Sequence, residues 1–148
     1  MSATNAFETS INALIFNNTD AANVGDAAGL QNSAADGVFY VSLHTADPGE
    51  TGTQATSETA YTGYARVSVV RTAAGWTCSG ATVVNAAEVL FGVCTAAPGT
   101  PLTHFGIGSA LTGVGNLFFS GALGASYQPA VLNAPRFAAG QLTATTTD

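Results

Sequence analysis

A mainly β fold, an antiparallel β-sandwich or jelly-roll-like barrel with an N-terminal helix, is what the sequence predicts, and three observations predict it. Apolar and polar residues alternate from residue 37 onward. The alternating runs are short, with Gly, Pro, Asn and Ser between them. Apolar residues recur at helical spacing only near the start. Period two with turn residues between runs marks antiparallel sheets with one covered face. Seven or eight such strands in roughly 110 residues suit a two-sheet arrangement.

The 148 residues fit one domain, organised as a helix-and-loop arm over 1–36 and a β-sandwich body over 37–148. Asn5 followed by Glu8 has the spacing of a capping box. Phe7, Ile11, Leu14 and Ile15 then form one helical stripe. Asn17-Asn18 should end this helix, and residues 17–36, with weak periodicity, read as a long loop. Such an arm packs on its own domain or reaches a neighbour, and the first is the commoner outcome.

In VFYVSLH, Phe39, Val41 and Leu43 share one face, with Tyr40, Ser42 and His44 on the other. In YARVSVVR, Ala65, Val67 and Val69 oppose Arg66 and Ser68. Val89, Phe91 and Val93 share a face in EVLFGV, Phe105 and Ile107 in THFGIG, and Leu117 and Phe119 in NLFFSG. QLTATTT alternates more weakly. ATVV at 81–84 and the stretch around Val131 add short strands. No stretch reads as an interdomain linker or an internal repeat.

The apolar fraction is 47%, but 28 of these residues are Ala. Burying one large side chain contributes roughly 1.5–3 kcal/mol and Ala much less. The core is therefore adequate without being generous, and contacts with other subunits are expected to contribute. Only 8% of residues are charged, against about 25% in ordinary soluble domains. There is no Lys, the only Arg are Arg66, Arg71 and Arg136, and the net charge is −6. Phosphate backbones are bound by neutralising them, so neither nucleic acid nor an anionic membrane is an expected partner. Cys78 and Cys94 match no zinc or redox spacing. Two free, partly buried thiols are expected, a bridge requiring that they lie on paired strands. The N-terminus lacks the basic stretch of a secretory signal, and no apolar run approaches the ~18 residues of a membrane span. A soluble protein made in a cytoplasm is expected.

FYVSLHTADPGETG, residues 39–52, places His44, Asp47 and Glu50 close together, as a catalytic or metal cluster or as a strand running into a turn. His44 ends a strand opposite Phe39, Val41 and Leu43, so it is expected to point outward. Asp47-Pro48-Gly49 is a turn signal: Asp bonds the backbone ahead, Pro sets φ, and Gly accepts positive φ. A metal needs convergent ligands, and nothing local pairs His44 with the other histidine, His104. The turn reading is preferred. GIGSALTG at 106–113 departs from G-x-G-x-x-G at Leu111, the absence of Lys removes a P-loop, and no G-x-S-x-G elbow occurs. Seven of the nine acids lie in residues 8–58, mostly in loops, which argues against a buried acid/base pair. Trp76 is a sugar-stacking platform or, more commonly for a lone Trp, a core or interface anchor. Arg66 either pairs with Glu58 or Asp47, tying down the 45–63 loop or bridging two subunits, or is an exposed strand arginine. The two readings weigh equally. No catalytic residue, metal ligand or cofactor is expected.

LHTADPGETG, followed by SETAYTGYARVSVVR, resembles a group of small tailed-bacteriophage virion proteins. Their pattern is a strand ending in Leu-His-Thr-Ala-Asp-Pro-Gly, then Glu58, then Tyr64-Ala65-Arg66. A Trp76-like position, an apolar strand like AEVLFGV and a block like THFGIGSALTGVGNLFFSGAL follow. The resemblance runs over residues 30–145, and the order of the motifs carries it. It implies a non-enzymatic virion structural protein, foremost a capsid decoration (cement) protein clamping neighbouring major capsid subunits. A tail or tail-fibre component is the alternative, with a carbohydrate-binding module behind. The expected partners are the major capsid protein or other virion proteins, and further copies of the chain as a dimer or trimer. The expected location is the virion, assembled in the host bacterial cytoplasm. The N-terminal helix with its loop, the 45–63 loop and the C-terminal segment are the expected contact segments.

Overall fold

The computed structural model describes residues 2–146. One helix, α1 (Asn5–Asn17), precedes β1 (Val38–His44), β2 (Val67–Val70), β3 (Trp76–Ser79), β4 (Thr82–Asn85) and β5 (Val89–Leu90). β6 (Leu102–Gly108), β7 (Leu117–Tyr127), β8 (Arg136–Phe137) and β9 (Thr143–Thr145) follow. The strands form a four-stranded sheet β2-β1-β6-β7, a three-stranded sheet β3-β4-β9 and a ribbon β5-β8. The fold is mainly β with antiparallel sheets and one N-terminal helix, in keeping with the sandwich class the alternation predicts. The chain divides into two compact units, one of Met1–Val38, Val70–Glu88 and Phe137–Asp148, the other of Phe39–Val69 and Val89–Arg136.

In the first unit the N-cap of α1 is Thr4 rather than Asn5. Its hydroxyl accepts from the Phe7 N–H at 3.4 Å, so the donor freed at the helix start is met from one residue earlier than the Asn5–Glu8 spacing implies. Asn18 ends the helix in the left-handed conformation, φ 51°, and its N–H bonds the Ala13 carbonyl. The Arg71 guanidinium donates to the carbonyls of Ile15 (2.7 Å) and Leu14 (3.0 Å). A cation thus meets the negative end of the helix. The predicted stripe is not the most buried face: Phe7 is exposed and Ile11, Leu14 and Ile15 are half-buried, whereas Asn12 and Phe16 are fully buried, Phe16 lying edge-to-face on Trp76 with centroids 5.1 Å apart. β4 pairs with β3 (Val83 opposite Cys78) and with β9 (Val83 opposite Ala144). The 17–36 loop is organised by Asn18, whose amide donates to the Ser33 carbonyl and Asp36 Oδ1 and accepts from the Ser33 N–H.

In the second unit β1 lies between β2 and β6, with Val41 opposite Ile107, Leu43 opposite Phe105 and His44 opposite His104. Val41, Ser42, Leu43 and His44 are all buried, as are Phe105 to Gly108. The expected one-faced alternation therefore fails at β1 and β6. Both are central strands, and segments from distant parts of the chain cover their second face. β2 is shorter than expected and begins after Arg66. β5 stops at Leu90: Phe91 is buried, but Val93 is exposed and Cys94 buried, so the alternation slips by one residue past Gly92, where any Cβ would meet the Gly63 carbonyl. The stretch around Val131 is a turn and not a strand. β3 was not foreseen, since WTCS lacks a clean alternation.

Candidate functional site

The second unit holds a buried polar centre beneath the 45–63 loop. His44, expected to point outward, is fully buried. Its Nδ1 lies 2.8 Å from the Thr56 carbonyl. A carbonyl only accepts, so Nδ1 carries the proton. Nε2 must then accept, and the Ser42 hydroxyl donates a hydrogen bond to it at 2.8 Å. Burial holds the His44 pKa below its ordinary value, outweighing the Thr56 bond and the Glu58 charge, which push it up. Gly106 stands opposite Ser42 in the register, and a Cβ there would lie 2.7 Å from both His44 Nε2 and Ser42 Oγ. Only glycine leaves room for the pair.

A hydroxyl bonded to an oriented imidazole has the layout of an activated nucleophile. Here the orienting group is a backbone carbonyl, and neither Ser42 nor His44 has exposed surface. The pair fastens the 45–63 loop to β1. Asp47 lies apart from it: its Oδ1 accepts from the Gly49 N–H at 2.9 Å, and Gly49 takes φ 70°. Glu50 is exposed. The structure thus does not bring His44, Asp47 and Glu50 together, and among the described residues no group of three or more His, Cys, Asp or Glu could hold a metal ion.

Arg66 answers the question left open between a pair and an exposed strand arginine. It is buried and grips Glu58 with both prongs, Nε to Oε1 and Nη2 to Oε2, each at 2.7 Å. The bond to Glu58 raises the Arg66 pKa against the opposing effect of burial. Two further bonds run from Nη1 to the Ala110 carbonyl (2.8 Å) and from Nη2 to the Gly113 carbonyl (2.7 Å). The Tyr64 hydroxyl donates to Glu58 Oε1 at 2.7 Å and accepts from the Leu43 N–H, and burial drives its pKa far above the ordinary phenol value. Gln54, also fully buried, donates to the Tyr40 carbonyl and accepts from the Ala110 N–H. Three side chains, Gln54, Glu58 and Arg66, thereby lock the 45–63 loop, β1 and the 109–116 hairpin turn to one another.

Ser42 and Gln54 were missed by sequence reasoning. Ser42 carried a signal, two residues before His44 on one strand face. Gln54 carried none, because its partners lie far away in the chain. Trp76 is fully buried against Phe16, which overturns its reading as a sugar-stacking platform. Cys78 and Cys94 are both free thiols, and burial raises the Cys78 pKa.

These features define a β-sheet scaffold in whose second unit His44, Glu58, Tyr64 and Arg66 are engaged in fixing loops. The quoted polar positions His44, Asp47, Glu58, Tyr64 and Arg66 all hold backbone or one another. Residues 8–145 match the family described as Podophage GP4 fiber I protein gp80, and the chain belongs to that family. It is a bacteriophage virion structural protein of tail-fibre-like type. Comparison with curated proteins returned no match.

Proposed function

We propose that the chain is a non-enzymatic fibre component of a podophage tail, assembled with other virion proteins. The family match over residues 8–145 carries this reading, because the family's own description is that of a fibre protein. The buried centre supports it. His44, Glu58 and Arg66 brace loops, so what the molecule offers outside is a shaped surface. Function then rests on area and complementarity, as in protein–protein interfaces generally.

Capsid decoration is the competing reading. There, many identical weak contacts repeated over a shell would add up by avidity. The two differ in place and number. Antibody labelling of intact virions, with quantification of copies per particle, should mark the tail and return a handful to a few tens of copies. Label spread over the capsid, with hundreds of copies, would make it a decoration protein and defeat the fibre reading.

A further inference from the structure

The segment between Glu88 and Arg136 contains no Asp, Glu, Lys or Arg. Eight of the eleven exposed large apolar residues among the described residues lie in it. Leu132 stands out among them. It is 80% exposed and has φ +71°. The Asn133 N–H bonds the Ala130 carbonyl at 3.0 Å, which closes a four-residue turn with Val131 and Leu132 at its centre. Positive φ at the third position of such a turn is the place for Gly or Asn, and a bulky side chain there is strained.

The turn is also stitched down. The Leu132 N–H donates to the Cys94 carbonyl and the Cys94 N–H to the Asn133 carbonyl, each at 2.8 Å, and the Phe91 N–H donates to the Pro135 carbonyl. The platform below is tight: the Tyr61 hydroxyl donates to the Gly92 carbonyl at 2.9 Å, and Gly92 abuts the Gly63 backbone. Val93 and Val131, beside these bonds, are half exposed. A rigid base thus holds a strained leucine out in water, where it gains no burial within its own chain. Strain held by surrounding structure marks a functional position.

We infer that the Val131-Leu132 turn, with Val93, is the anchor of an interface between copies of this chain. Charge selects the occupant. Copies carrying −6 each repel one another, and 89–135, the longest stretch of this chain without Asp, Glu, Lys or Arg, lets them meet without opposing carboxylates. Such an interface is driven by apolar burial and is not weakened by salt, which screens the repulsion between copies. It holds whether the copies sit on a fibre or on a shell. Its test uses purified protein and leaves that location untouched.

The experiment is sedimentation analysis of the full chain and of Leu132→Asp and Leu132→Asn over a concentration series, at low and high salt, with thermal melting of the dissociated protein. The native chain should form oligomers at both salt concentrations, at least as tightly at high salt. Each variant should weaken association by about tenfold or more, as expected of an interface anchor. Leu132→Asn should melt no lower than the native chain, and up to about 3 °C higher from relieved strain. A native chain that stays monomeric, association unchanged in both variants, or a Leu132→Asn variant that melts lower would each overturn the proposal. So would a monomeric native chain whose variants still fail to join virions, since that points to a different partner protein.

Discussion

Arg66 directs four short hydrogen bonds at Glu58 and at two carbonyls of the 109–116 turn. Removing one partner of a buried pair leaves the other charge without compensation, at about 3–5 kcal/mol, and the 17% exposure of the Glu58 side chain puts this pair at the lower end. Arg66→Ala should lower unfolding stability by that amount in urea titrations. Arg66→Lys should recover little, because a single ammonium cannot reproduce the fork. His44 makes a second prediction, through pH. Its folded pKa lies below the ordinary 6.5, so the unfolded chain takes up the proton first as pH falls. Stability contributed by the neutral imidazole is full above about pH 6.5 and declines below it, down to the folded pKa. Denaturant midpoints measured between pH 8 and 5 should show that decline, and His44→Gln should flatten it.

At the level of elements, the sequence disclosed periodicity well and partners poorly. The stripe Ile11, Leu14, Ile15 and the alternation in VFYVSLH are local signals, and α1 and β1 form where they predict. The cap moved to Thr4 because hydroxyl geometry, not the Asn5–Glu8 spacing, decided it. The burial of His44 was illegible: it depends on Gly106 and Thr56, brought together only by strand pairing and loop closure. The Glu58–Arg66 pair was legible as one of two options, since so few cations are available, but its bonds to Ala110 and Gly113 were not. α1 also gives a test of element packing. Phe16 is its fully buried contact with Trp76, the single tryptophan. Phe16→Ala should cost about 3–5 kcal/mol and move the Trp76 emission to longer wavelength in the native state. An unchanged spectrum would show that the helix does not shield the indole.

For the whole molecule, charge is sparse and lopsided. Nine acids face three arginines, two of which, Arg66 and Arg71, are engaged with internal acceptors. The isoelectric point is near 4.4. Colloidal repulsion vanishes there, while the large uncharged surface remains. Light scattering across pH 3–8 should peak near pH 4.4 and fall on either side. A flat profile would mean that charge contributes little to keeping copies apart.

The first compact unit is assembled from the beginning, the middle and the end of the polypeptide, with β9 laid against β4 and Leu142 bonded to Asn85. Synthesis runs in one direction, at about 5–20 residues per second, so β9 leaves the ribosome well after the β4 strand that it pairs with. Phe16 of α1 stays uncovered until Trp76 of β3 has been made to shield it. A chain that lacked β9 would leave one edge of β4 bare, so this unit cannot close before the ribosome has passed residue 145.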